Sequence, residues 1–308
     1  MVKYICKRLG VGLLTLFILT SLTFFLMHAI PGSPFTQDNK NIAPEVIAAM
    51  EAKYNLDKPV GEQYVTYMAN VLQFDFGESI SRRGQNVSDI IIQRAPDTFK
   101  LGAVAFVVSI VIGIALGIVG ALTKHRWLNG IITVIATLGV SLPGFIVALL
   151  LMIGFGVQLK IFPLIGLDGP LNYVLPVIAL SLSPIAMVTR LTRSSLRDVM
   201  NKDYIILARS KGTGDLKVVI KHALRNALLP VVTYCGPLFA SLVTGSFVIE
   251  TLFTIPGIGR EFVSSVNNRD YTLIMGLTIF LGAVVIVMTL VTDIVAAIVD
   301  PRIKLDKK

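Results

Sequence analysis

The 308 residues predict an all-α membrane protein with six transmembrane helices and an extracellular cap between the first two. Three observations carry that expectation. The chain is 54% hydrophobic and 15% charged, whereas an ordinary soluble domain carries about 25% charged residues. Several apolar runs reach the roughly 20 residues that a helix needs to cross the hydrocarbon core. Those runs are continuous and do not alternate, which excludes a β-barrel.

The first span is expected at residues 9–30, after Lys3, Lys7 and Arg8. It is too long for the apolar core of a signal peptide and lacks a small-x-small cleavage pattern, so it reads as a retained span. Pro31-Gly32-Ser33-Pro34 ends it, and residues 31–98 form the cap. Within the cap, 43–54 reads as a short helix with Pro44 in its first turn and Val46, Ile47 and Met50 at helical spacing. Residues 63–72 read as a second helix, Asp75-Phe76-Gly77 breaks it, and 87–93 reads as a third.

The transmembrane core is expected at 99–298. Its second span is 101–122, and its third is 131–157 with a kink at Pro143-Gly144. The fourth span, 171–189, is interrupted by Pro176 and Pro184. A cytoplasmic loop at 192–229 leads to the fifth span, 230–248. A loop through Glu250, Phe253, Pro256, Gly257 and Gly259 follows, then the sixth span, 273–297, and a tail at 299–308. Six spans place both termini on one side. Most of the 28 Lys and Arg lie on that side, including Lys124, Arg126, Arg190, Arg209, Lys217 and Arg302. The positive-inside rule makes it the cytoplasm. The net charge of +9 is therefore a topology signal and not a nucleic-acid patch.

Enzymatic signatures are missing. There is no G-x-x-x-x-G-K-[ST] nucleotide loop, and His28, His125 and His222 are too scattered for a metal site. Cys6 and Cys235 suit neither a disulfide framework nor a metal cluster. Pro256-Gly257-Ile258-Gly259 lacks the βαβ context of a phosphate cradle and reads as a turn at the membrane edge. Ionisable residues inside spans mark relays and ion paths, and Asp293 is the one clear candidate. It reads as a helix-end residue near the interface. A self-sufficient carrier or channel, or an intramembrane enzyme, would need more, so the energy for any transport comes from another protein.

The central polar stretch, 201–230, is the most informative. Asp203 is placed to cap a helix with Tyr204, Leu207, Ala208 and Lys211 on one face at i, i+3, i+4 and i+7. Gly212 suits a left-handed C-terminal cap. Asp215 is placed to cap a second helix that stacks Lys217, Lys221 and Arg225, and Pro230 suits the first turn of the fifth span. The basic face of the second helix suits anionic headgroups. The small and apolar face of the first suits a protein partner, with Ala208 at its centre.

At this stretch the sequence resembles the membrane permeases of ABC importers, whose loop reads E-A-A-x-x-x-G with a proline further on. Ala208, Gly212 and Pro230 match, while Ile206 and Leu207 stand at the Glu and first Ala positions. Further segments are similar to the B-type oligopeptide/dipeptide/nickel branch. They include His28-Ala29-Ile30-Pro31-Gly32-Ser33-Pro34-Phe35, Phe74-Asp75-Phe76-Gly77-Glu78-Ser79 and Ala223-Leu224-Arg225-Asn226-Ala227-Leu228-Leu229-Pro230.

The resemblance implies a type I importer architecture and a heterodimer with a homologous second permease. It also implies two cytoplasmic ATPases that carry ATP and Mg, an external peptide-binding protein, and no cofactor on this chain. Asp203, Tyr204, Leu207, Ala208, Lys211 and Gly212 would form the coupling helix. Asp215, Asn226 and Pro230 would form a lever into the fifth span. Glu250, Phe253, Pro256, Gly257 and Gly259 would line the outer gate on the binding-protein side. The branch favours oligopeptides, with dipeptides, nickel or metallophores and glutathione as alternatives.

Overall fold

The computed structural model describes residues 2–29, 34–35, 43–244 and 247–299. The expected turn at Pro31-Gly32-Ser33 and the tail from Asp300 lie outside them. The helices in chain order are α1 Val2–Ala29, α2 Pro44–Lys53, α3 Val60–Val71, α4 Val87–Leu122, α5 Arg126–Ser141, α6 Gly144–Leu151 and α7 Pro170–Met200. They continue as α8 Asp203–Ser210, α9 Asp215–Lys217, α10 Leu224–Ala227, α11 Leu229–Thr244, α12 Phe247–Leu252, α13 Ile258–Asn267 and α14 Tyr271–Val299. Wider π-helical turns occupy Met152–Gln158 and Val218–Ala223. Among the described residues, five helical stretches are long and apolar enough to cross a membrane, α11 and α12 counting as one, and α5 with α6 makes a sixth span if the bent pair is counted as one.

Proline behaviour accounts for three departures from the sequence expectation. At Pro143 the third span is broken, not merely kinked, and its halves meet at 105°. Proline restricts the residue before it to extended backbone, and Leu142 stands there at φ −90° and ψ 123°, with Pro143 leading into α6. Conversely, α7 runs unbroken through Pro176 and Pro184 to Met200. Proline inside a span is tolerated where neighbouring helices support the freed backbone. Gly139 of α5 and Gly144 of α6 lie against the Leu182 and Ala179 carbonyls of that stretch. Helix α4 likewise absorbs the expected third cap helix and continues past Pro96 into the second span.

Two compact units divide the chain, and the division falls inside α4 and α14. Of the described residues, those within 99–255 and 287–299 belong to one unit and those within 2–98 and 256–286 to the other. The described residues of the expected 31–98 cap group with the first span and with 256–286.

In the first unit α7 is the central strut. Gly113 and Gly117 of α4, spaced as in the small-xxx-small motif, let the backbones approach closely. A Cβ at Gly117 would stand 2.4 Å from the Thr192 Cβ. Leu101, Leu175, Val188, Leu238 and Phe253 make the apolar core.

The second unit is pinned by two buried carboxylates. Asp270, fully buried, caps α14 through the Leu273 N–H at 3.1 Å. It also accepts from the Ile80 and Ser81 N–H groups and from the Ser79 and Ser81 hydroxyls. Glu261 of α13 pairs with Arg82 and, at 3.2 Å, with the Arg94 Nε.

Candidate functional site

The 192–229 segment folds as the C-terminal half of α7, then α8, α9, the π turns and α10. Ile205 and Ala208, three apart, face inward onto Leu196, Val218, Ala223 and Ala227. Tyr204, Ile206 and Leu207 face outward, 42%, 53% and 56% exposed. The expected single face of Tyr204, Leu207, Ala208 and Lys211 is thus divided. Ala208 is only 9% exposed, and its small side chain lets α8 settle on the cluster behind it. Periodicity allowed either side of the helix to be covered, and the cluster behind it decided which.

The caps also differ in part from expectation. Asp203 makes no side-chain cap hydrogen bond. Lys202, in extended backbone, is the N-cap, and Asp203 sits in the first turn. A carboxylate there still suits the positive end of the helix dipole. Gly212 is left-handed at φ +79°. Its N–H donates to the Arg209 carbonyl at 2.9 Å, and the Thr213 N–H donates to that of Ala208 at 3.3 Å. These two bonds make the Schellman ending that a glycine at this position permits. Asp215 does not cap the next helix either, since Gly214 is the N-cap. Its carboxylate pairs with the Arg209 Nε at 3.3 Å, joining the end of α8 to the start of α9.

The second helix is not regular. One α turn, the π turns and another α turn bury Val218, Val219, Ala223 and Ala227. Lys217, Lys221 and Arg225 are left exposed. Asn226 donates its side-chain amide to the Tyr204 hydroxyl at 2.9 Å, tying this helix to α8. Pro230 is the second residue of α11, where its missing N–H costs nothing. The segment therefore presents an exposed apolar ridge on a seated helix that leads into α11.

The residues expected at an outer gate are interior ones. Glu250 and Phe253 are 0% and 1% exposed. The Phe253 carbonyl accepts from the Gly166 N–H at 3.1 Å, and that of Glu250 accepts from the Ile255 N–H at 2.8 Å. In the other unit Gly257 and Gly259 are buried, and Pro256 is partly exposed. Gly257 is the N-cap of α13, and the Ile258 N–H donates to the Thr98 hydroxyl at 2.8 Å. Much of the expected loop is instead helical, Glu250 lying in α12 and Gly259 in α13. Sequence reasoning also missed Glu261 with Arg82 and Arg94, and Asp270 with Ser79 and Ser81. Arg82 stands 179 residues from Glu261 and Ser79 stands 191 from Asp270, so no spacing could reveal them.

Residues 109–305 match the model of the binding-protein-dependent transport system inner membrane component. The chain belongs to that family. Residues 1–102 match the model of the N-terminal part of such components. This permease is 44% identical to the dipeptide transport system permease protein DppB of Bacillus subtilis, over 308 residues and the full length of both chains. It is 41% identical to the oligopeptide transport system permease protein OppB of Haemophilus influenzae, over 99% of this chain and all of that one. With OppB of Escherichia coli strain K12 the identity is 40% over the same shares.

Among solved structures, an inward-facing MetNI methionine ABC transporter matches with a TM-score of 0.54 at 17% identity. That match covers 68% of this chain and 96% of the other. An amino acid ABC transporter matches with a TM-score of 0.52, also at 17% identity. These two likenesses establish the fold. The chain is a multi-pass membrane component of an ABC transporter and not itself an enzyme.

Proposed function

We propose that this permease forms half of the translocation pathway of an ATP-driven peptide importer and couples to a cytoplasmic ATPase through α8. The observation that carries the coupling role is the exposed ridge of Tyr204, Ile206 and Leu207 on a helix seated by buried Ile205 and Ala208. A soluble ATPase needs an apolar, rigidly mounted contact of this kind, because exposed apolar residues clustered on one helix mark an interface. In this reading a homologous second permease completes the pathway. Two ATPases carry ATP and Mg, an external binding protein delivers the peptide, and both termini lie in the cytoplasm with the tail at 299–308. Asp203, Lys211 and Gly212 shape the ends of the coupling helix, while Asp215, Asn226 and Pro230 transmit its movement to α11.

Oligopeptides are the proposed substrate, supported by full-length similarity to the OppB proteins. The similarity to DppB favours dipeptides as a second reading. Glu250, Phe253, Pro256, Gly257 and Gly259 are proposed to act at the outer gate as internal packing that must rearrange on opening. Their burial argues against a direct contact with the binding protein.

The test is uptake of labelled peptides of graded length into proteoliposomes holding the permease pair, the ATPases and the binding protein. Uptake of longer peptides, lost with Leu207→Asp while the complex still inserts, is the expected result. Uptake of dipeptides alone overturns the oligopeptide assignment, and unchanged uptake by Leu207→Asp overturns the coupling role.

A further inference from the structure

Helix α3 is amphipathic in the opposite sense to a helix that faces water. Gln63, Thr66, Tyr67 and Asn70 line a cavity of about 360 Å³ that α3 shares with the end of α1 and the start of α14. The other side of the helix carries Val65, Met68, Ala69 and Leu72, an apolar stripe at i, i+3, i+4 and i+7. Such a stripe ordinarily faces a core. Here Val65 is 66% exposed and Leu72 81%.

The turn that ends the helix extends the stripe. Phe74 is 82% exposed and sits at φ +59°, a backbone region that bulky side chains rarely adopt. It is held there by bonds from the Phe74 N–H to the Val71 carbonyl and from the Asp75 N–H to that of Asn70. The Gly77 N–H adds a third bond, to the Asp75 carboxylate at 2.9 Å. An aromatic ring is thus left exposed in the turn that follows the apolar stripe.

Contacts with α1 give this face a depth. The Tyr64 hydroxyl is 2.7 Å from that of Ser21, and the Tyr64 ring stacks on Phe25 with centroids 5.2 Å apart. Lys7 and Arg8 mark one headgroup layer, and the roughly 20 residues that cross the hydrocarbon core run from there to about His28. Ser21 lies about 12 Å short of the far end of α1, at 1.5 Å per residue. Leu22, Phe25 and Leu26 of α1 are half exposed beside the contact, as lipid-facing residues are. The apolar stripe of α3 continues that lipid-facing surface.

We infer that α3 lies in the leaflet opposite Lys7 and Arg8, along the lipid–water interface, with Val65, Met68, Leu72 and Phe74 among the acyl chains. Its polar face is then turned away from lipid onto the cavity, and the exposed Lys58–Glu62 ion pair at its N-terminal end sits among the headgroups. Apolar face to lipid and polar face to a shielded cavity is the arrangement that hydrocarbon, and not water, selects. The occupant of the stripe is a lipid surface, and this inference does not rest on the substrate or the ATPase contact proposed above.

The test places nitroxide labels on the assembled transporter in lipid nanodiscs, with Cys6 and Cys235 replaced by Ser. Labels at Val65→Cys, Leu72→Cys and Phe74→Cys should be accessible to oxygen and shielded from a water-soluble nickel chelate, as at Leu26→Cys. Glu62→Cys should show the reverse. Accessibility to the chelate at 65 and 72 equal to that at 62 overturns the inference. So does shielding that arises only when the binding protein is added, which would make the stripe a protein interface. Photolabelling of the unmodified transporter from within the acyl chains, mapped by mass spectrometry, avoids dependence on any variant. Adducts on α3 support the assignment, and adducts on α1 without any on α3 overturn it.

Discussion

The side-chain amide of Asn226 donates to the hydroxyl of Tyr204 over 2.9 Å, and this bond ties α8 to the helix that runs into α11. Both residues are exposed to solvent, so the bond adds about 1 kcal/mol or less to stability. Its consequence is mechanical. Asn226→Ala and Tyr204→Phe are each expected to leave expression and melting almost unchanged. Both should weaken substrate-stimulated ATPase activity of the assembled transporter. A double-mutant cycle should show the second change adding little to the first, and full additivity would mean that the bond transmits nothing.

Neighbouring residues on α8 should respond in opposite ways. Leu207→Asp places a charge on an exposed position and should leave the protein in the membrane at normal yield while abolishing coupling to the ATPase. Ala208→Arg or Ala208→Leu forces bulk into the cluster of Leu196, Val218, Ala223 and Ala227. Overpacking of that kind costs about 1–3 kcal/mol, so these variants should lose thermal stability first and transport as a result. Melting in detergent separates the two cases, and equal melting for Ala208→Leu and the parent would refute the burial argument.

Gly117 should tolerate nothing larger. Its missing Cβ lets α4 approach α7, where the Thr192 Cβ would stand 2.4 Å from any added carbon and the Thr189 carbonyl 3.0 Å. Gly117→Leu is expected to part the helices and reduce the amount of folded protein recovered. Gly130, which has open space where a Cβ would stand, should accept Ala with no measurable effect. Size-exclusion profiles of the two variants give the comparison.

Glu261 holds two guanidinium groups. Glu261→Gln would leave Arg82 and Arg94 facing a neutral amide, and breaking a buried pair costs about 3–5 kcal/mol. Both arginines retain roughly a third of their side-chain exposure, which places the loss at the lower end of that range. Thermal melting should fall clearly for Glu261→Gln. It should fall less for Lys53→Gln, whose partner Glu78 is exposed.

Much of the fold was legible in the residues. The apolar runs at the first, second, fourth and sixth spans appear as long helices because some twenty contiguous apolar side chains are a local property that no distant residue needs to complete. Gly212 was legible as a left-handed cap for the same reason, since the conformation depends on the residue that adopts it. The prolines were less so. Pro143 breaks a span while Pro176 and Pro184 ride inside an unbroken one, and the difference lies in what packs against each.

At the candidate site, the sequence by itself determined that a short helix ending at Gly212 precedes a basic segment and Pro230. Tertiary structure decided which side of that helix faces out. Ala208 turns inward because Leu196 and Val218, on other turns of the chain, offer it an apolar bed. The same limit hid Glu261 from its arginines and Asp270 from Ser79 and Ser81. Helical periodicity records only that a residue has a face. What covers that face is set by side chains up to 191 residues away, and their approach is a property of the packed chain.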